Sequence, residues 1–424
     1  MKRNTFSSRW TVLAAASASA LFLGISAHAA ELRTWTSLKG TTLDAKLLKV
    51  DGEDVILEKE DGTRLDVKRN QLSIGDQRYL QEYGGAEELG PQTGRMKSPA
   101  KEVKIDKKEF VKTEEPFRFG EDGGLEFHGM VTPHFYVVSD GRDFIRETAE
   151  NAERLWHDMA FYHPNFARKW GDKKFAIVLV KEDEPWFSLA DWQKHYLDQY
   201  GQPGESDKID PTWKQASSTS VNLTQEMIDK YNTFGYASVF RPKDARTFDG
   251  VWAPFRTHCL AQTLLGLQMG GVSSFGSKGF FAIATGHAYF KEIDLTGETQ
   301  TRLISAEGYE SDKVTSAGGF DKGDTWPKTL QKLVRKKDVT PSIKVMYQLE
   351  QQNLTPERVV LMYSFARYLQ STPERVAAFA KLAERIDTSR QMPVAEELAD
   401  IYGFESVEKM EEDWIDYLKS SDFK

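Results

Sequence analysis

The sequence predicts an α+β protein in two parts, a small β-barrel followed by a larger, mixed and mainly helical domain. Three observations carry this reading. Short strand-like runs, punctuated by Asp51-Gly52 and Asp61-Gly62, crowd residues 32–83. Residues 84–104 are rich in Gly, Pro, Glu and Lys, show no hydrophobic period, and read as a linker. From residue 105 to 424, a few strand runs give way to a long series of helical periods.

A chain of 424 residues exceeds one typical domain, and 40% hydrophobic content suffices for a sizeable core. Lys2, Arg3 and Arg9, an apolar run from Thr11 to Ile25, and Ala27-His28-Ala29 have the order of a secretory signal peptide over residues 1–29. The expectation is an exported protein, periplasmic, cell-surface or extracellular. The apolar run is short for a membrane span of about 20 residues, so no transmembrane segment is expected once the signal is cleaved. The signal holds three basic and no acidic residues, so removing it takes the net charge from −8 to about −11. Such an acidic chain is a poor partner for nucleic acid, whose binding rests on phosphate neutralisation by Lys and Arg. A single cysteine, Cys259, excludes an intramolecular disulfide.

In the first part, LRTWTS, TTLDAKLLKV, EDVILEK and TRLDVK read as strands. Ser73 is the expected N-cap of a closing helix, with Asp76 three residues on as a capping-box variant. In the second part, 130–139 reads as a strand, 142–162 as a long helix, and 174–180 as a buried strand. Residues 185–215 are expected to loop out around a short helix at 188–199, with further strands at 217–223 and 234–240. Helices are expected at 253–269, 280–292, 327–336, 341–352, 355–370, 373–384, 392–402 and 405–419. Thr355-Pro356 and Thr372-Pro373 place Pro at the first helical position after a Thr cap.

The first part resembles SLA1 homology domain 1, an SH3-like barrel, over its whole length. The matching residues are Arg33-Thr34-Trp35-Thr36, the Ala45 strand, Val55-Ile56-Leu57, Asp61-Gly62, and Leu72-Ser73 followed by Asp76-Gln77-Arg78-Tyr79-Leu80. The resemblance implies an adaptor-type module that binds a protein or peptide, with self-association as a further family property. Trp35 and Tyr79 are the peptide-contact candidates. A mere spacer is the competing reading.

The second part resembles, in order and spacing over about 130–420, the gluzincin-like peptidase MA family of zinc metallopeptidases. The C-terminal stretches carrying Tyr363 to Leu369, Ile401 to Glu408 and Trp414 to Leu418 support it. That chemistry needs two His at i and i+4, a Glu beside the first to activate the zinc-bound water, and a third ligand from a following helix. Here HCLAQ stands in place of H-E-x-x-H. His258 matches the first ligand, Cys259 replaces the base, Gln262 the second His, and Thr285 the third ligand; Lys278-Gly279 offers a second register. Gln binds zinc poorly, Thr scarcely, and a thiol is no carboxylate base. The implied protein is a pseudopeptidase with no catalysis and no cofactor, whose cleft binds protein or peptide. His258, Cys259, Gln262, Thr285, His287 and Tyr363 are its vestigial cleft candidates.

Two alternatives stand beside it. One is a residual metal- or thiol-dependent hydrolase rearranged around His258, Cys259 and His287, although adjacent helical residues point about 100° apart. The other is a structural cell-envelope protein. A plain core helix at 255–266 would also account for Leu260, Leu264 and Leu265. His134, His157 and His163 lack metal spacing with carboxylates. Trp186, Trp192, Trp213 and Trp252 form either a binding wall or ordinary core. Gly270-Gly271 and Ala317-Gly318-Gly319 lack the strand context of a phosphate loop.

Overall fold

The computed structural model describes residues 32–37, 41–51, 54–73, 76, 80, 98, 100, 107–120, 124–141, 144–201, 204–241, 253–272, 278–312, 315, 319–320 and 322–423. The expected signal peptide, Tyr79, Trp252, Ala317-Gly318 and nearly all of the expected linker lie outside them. The chain packs as two units, residues 1–93 and 94–424.

In the first unit, strands β1 (Leu32–Thr36), β2 (Thr42–Asp51), β3 (Asp54–Lys59) and β4 (Arg64–Lys68) form an antiparallel meander in sequence order. Alternation decides which face is buried: Val55 and Leu57 point inward with Trp35, Ala45 and Leu47, while their neighbours stay half-exposed. A short 3₁₀ turn, Arg69–Gln71, returns the chain to the first edge, where Leu72 bridges Ser37 and the Ser73 N–H donates to the Thr36 carbonyl at 2.6 Å. The Ser73–Asp76 cap forms as expected, with the Asp76 N–H donating to Ser73 Oγ at 3.2 Å. Asp76 also accepts from the Thr36 N–H at 2.6 Å and from Arg33 at 2.5 Å, locking the cap onto β1.

The second unit is mixed α+β. Its sheet comprises β5 (Val111–Lys112), β6 (Phe117–Phe119), β7 (Leu125–Val131), β8 (Phe135–Ser139), β9 (Lys174–Leu179), β10 (Ser218–Asn222) and β11 (Thr233–Phe240). The order is β10-β11-β9-β8-β7-β5, with β6 also on β7. Strands β8, β9 and β11 run parallel, and β10 lies antiparallel on the outside. Helix α1 (Ile145–Tyr162) makes the crossover from β8 to β9, and α2 (Phe166–Trp170) completes it. A parallel strand covered on both faces must be apolar on both, which is why β9 reads KFAIVL without alternation. Ala176 and Val178 pack under α3 (Asp183–Tyr200), α4 (Ile209–Gln215) and α5 (Gln225–Tyr231). Phe175, Ile177 and Leu179 pack under α1 and under α6 (Ala253–Gln268) on the other face.

After α6, α7 (Phe280–Thr296) is buried without a break from Phe280 to Ile293. Then follow α8 (Ala306–Ser311), α9 (Trp326–Lys336), α10 (Ile343–Met346), α11 (Pro356–Tyr368), α12 (Pro373–Ser389), α13 (Ala395–Ile401) and α14 (Val407–Lys419). The Thr355 and Thr372 caps form as read, each hydroxyl accepting from an N–H three residues on. Among the described residues no helix is long and apolar enough to cross a membrane.

Three local expectations are corrected. Residues 130–139 hold a hairpin rather than one strand, because Pro133 removes a ladder donor and the chain turns there. Residues 185–215 are largely helical: α3 is amphipathic enough to place Trp186, Leu189 and Ala190 in the core despite its many polar residues. Residues 341–352 hold one short helix and a 3₁₀ turn rather than a continuous helix.

Helix α7 crosses α11 closely at Gly286. A Cβ placed there would lie 2.1 Å from the Met362 carbonyl oxygen, a backbone atom that cannot step aside. Gly286→Ala is therefore expected to destabilise the second unit by about 2–4 kcal/mol, although Ala is the better helix former. Urea unfolding of the variant checks this.

Candidate functional site

The outer strand β10 and helix α6 bound a cleft of about 670 Å³. Ser217, Ser218, Thr219 and Ser220 form one wall; Phe255, Cys259, Gln262, Thr263 and Gly266 of α6 form the other. Tyr236, Ser238, Phe280 and Ala284 contribute the floor and end. Among the described residues lining it, none is charged. The spacing 255, 259, 262, 263 and 266 is one helical face, so the cleft sees Cys259 and Gln262 of the HCLAQ run.

His258, one residue from Cys259, is turned about 100° away and buried. Its Nδ1 lies 3.0 Å from Glu292 Oε2, and its ring stands edge-on to Tyr289 at 4.6 Å. The other Glu292 oxygen accepts from the Gln300 N–H at 2.7 Å and from both the N–H and hydroxyl of Thr301 at 3.3 Å. The pair ties α6 to α7 and to the loop after it.

His287 faces another direction. Its Nε2 lies 3.2 Å from the Met159 sulfur of α1, and its Nδ1 is 3.4 Å from the Gln370 amide. Gln370 in turn contacts His163 at 3.0 Å, and His163 contacts Gln268 at 2.5 Å. This chain of buried amides and imidazoles pins α1, α6, α7 and α11 together. Burial and the neighbouring Lys291 ammonium hold His163 down to about 3 and His287 well below the usual histidine range. Thr285 is buried. Tyr363 is also buried, on α11, and its hydroxyl accepts from Arg367 at 3.1 Å.

Of the six expected cleft residues, then, only Cys259 and Gln262 line the cleft. His258 and His287 belong to two separate networks, and Thr285 and Tyr363 to the core. Zinc does not fit this arrangement. The would-be first ligand is engaged with Glu292, Gln262 looks into a different space, and among the described residues no three His, Cys, Asp or Glu side chains converge. In the first unit, Trp35 is 1% exposed and donates its indole N–H to the Ala45 carbonyl at 2.9 Å. It anchors that core and is no contact surface. Trp186 and Trp213 are core too, their rings 4.6 Å apart and tilted by 51°.

Sequence reasoning missed Glu292, and also Glu153, which gives His134 the carboxylate partner it was not expected to have. His134 Nδ1 lies 2.7 Å from Glu153 Oε2, and Glu153 Oε1 accepts from the His134 N–H and the Thr132 hydroxyl. This closes the β7–β8 turn onto α1. A Glu at a core position of an otherwise apolar helical period is the signal that finds both carboxylates.

Cys259 is half-exposed to the cleft, yet burial pushes its thiol up to about 12, against the opposing Ser218 hydroxyl. It is a neutral thiol at pH 7, not a nucleophilic thiolate. Alkylation by iodoacetamide at pH 8 is expected to run at least about 100-fold slower than for a free cysteine, whose thiolate fraction is far larger. A stopped-time mass measurement of the alkylated fraction, native against urea-unfolded, tests it.

Three histidines are held neutral by burial: His157 at about 4, His163 at about 3, and His287 well below the usual histidine range. Above pH 6.5 they are neutral in both folded and unfolded chains and contribute no pH dependence. As pH falls from 6.5 toward 4, the unfolded chain takes up protons that the folded chain refuses. Stability therefore falls, by about 1.4 kcal/mol per pH unit for each such group. Urea midpoints at pH 7, 6 and 5 read this slope, and His163→Gln removes about one group's share.

No known family, curated protein or solved structure matches this chain.

Proposed function

We propose that this chain is an exported protein- or peptide-binding protein. In this reading its second unit is a zincin-like domain that has lost its catalytic chemistry, and its first an SH3-like adaptor barrel. The observation that carries the reading is the cleft between β10 and α6. In this outer strand Ser218 and Ser220 turn their backbone N–H and C=O groups away from their own sheet, while those of Asn222 are taken by Gln193 and Trp192, so an extended peptide laid along Ser218–Ser220 gains backbone hydrogen bonds there. The helix that bears HCLAQ forms the wall facing this strand, which supports the zincin-like reading. The residues that would cut are replaced, while the surface that would hold remains.

Two further features support binding over hydrolysis. Cys259, the thiol in the cleft, is protonated at neutral pH. His258 is committed to Glu292 and cannot serve as its base. In the first unit, the four-stranded meander returning on itself through the Ser37–Leu72 bridge supports the adaptor-barrel reading.

The test is binding of an arrayed set of unmodified peptides to the purified chain, with the strongest followed by fluorescence polarisation. Gly266 opens onto the cleft, and a Cβ there meets nothing within 4 Å. Gly266→Phe is thus expected to fold normally and to weaken peptide binding at least about tenfold, since it fills space the ligand needs. Equal binding by the variant would remove the cleft from the account. Peptide fragments appearing in the mixture would favour a hydrolase.

A further inference from the structure

Lys291 of α7 and Asp158 of α1 meet in the core of the second unit, far in sequence and both fully buried. Nζ lies 2.8 Å from Asp158 Oδ2, yet off the direction of a proper hydrogen bond. The Tyr162 ring covers Nζ at 3.7 Å and the Phe290 ring at 4.3 Å. Asp294 stands one turn after Lys291 on the same helix and is half-buried. A buried ion pair gains little over apolar packing, because desolvating two charges costs about as much as their attraction returns. The site is therefore unexplained as a simple brace.

We propose that Lys291 and Asp158 join in an intramolecular isopeptide bond, with Asp294 as the proton relay. The Nζ lone pair attacks Asp158 Cγ, forming a C–N bond. Asp294 takes a proton from the nitrogen and delivers it to the departing Asp158 hydroxyl. The C–O bond breaks and one water leaves. Neutral amine plus neutral carboxylic acid gives amide plus water, with no oxidant, reductant or co-reactant. Burial pushes the Asp158 carboxyl up and the Lys291 amine down, so each is drawn toward the neutral form that reacts. The aromatic lid excludes the water that would reverse the step, and contact in the folded state replaces a bimolecular encounter. The bond would tie α1 to α7 covalently in a chain whose one cysteine offers no disulfide.

The direct test needs no variant. Under denaturing conditions, the purified wild-type chain is expected to weigh less than its sequence by one water. Its tryptic map is expected to contain a branched peptide joining Asp158 to Lys291, with no cleavage at Lys291. Lys291→Met should restore the full mass. Asp294→Ala should leave much of the protein unjoined, and an unchanged joined fraction would overturn the relay. A wild-type chain of full mass, cleaved at Lys291, would overturn the bond itself. So would a water loss confined to one unbranched peptide, which is a succinimide at a single residue.

Discussion

Helix α7 is buried along fourteen consecutive residues, and a helix so placed needs partners inside the protein for most of the polar side chains it carries, Thr285 being left without one among the described residues. Much of the second unit is arranged around that demand. His287 is met from α1 and from the end of α11, Lys291 by Asp158 of α1, and Glu292 by His258 of α6 and the loop at Gln300 and Thr301. Gly286 lets α11 approach to backbone contact. Between them these contacts reach α1, α6 and the end of α11, so α7 acts as the axis that sets where those helices lie. An apolar α7 would bury as much surface but would specify fewer of these positions.

The same demand explains why the cleft is chemically quiet. In a working zinc helix, the ligands must face the open cleft and leave their lone pairs for the metal. Here the face of α6 toward α7 carries His258, and α7 supplies Glu292, so imidazole and carboxylate satisfy one another inside the protein. What remains on the cleft face is Cys259, Gln262, Thr263 and Gly266, side chains that hydrogen-bond or make room but do not ionise near neutral pH. A groove whose described lining carries no charge, beside an outer strand, favours a ligand held by its backbone rather than by ion pairing, and such binding should depend little on salt.

Much of the fold was legible because periodicity and caps are local. The Ser73, Thr355 and Thr372 caps, the β9 run and most C-terminal helices follow from residues within a few positions of one another. Pro133 was legible too, but a strand pattern on both sides hid the turn it makes. Helix α3 was obscured because its core residues, Trp186, Leu189 and Ala190, are few among charged neighbours. The candidate site was half legible. HCLAQ identified the right helix, yet which of its residues face the cleft depends on how α6 rolls against α7, which no local pattern encodes. The partner of His258 lies 34 residues away. The third position was sought at Thr285, whereas Glu292, two turns further along the same face, is the residue that meets the histidine.

That pairing bears on whether a metal could be held at this place. A His–Glu pair between two packed antiparallel helices keeps two of the residue types a zinc site uses, but in a sealed place. Building a zinc site here would need more than Gln262→His and Thr285→Glu. His258 would have to leave Glu292, and a carboxylate with 0% side-chain exposure would then stand without its imidazole, at a cost of several kcal/mol. The packing of α7 thus opposes a metal at this place, while the cleft beside β10, whose described lining is neutral, does not depend on the His258–Glu292 pair.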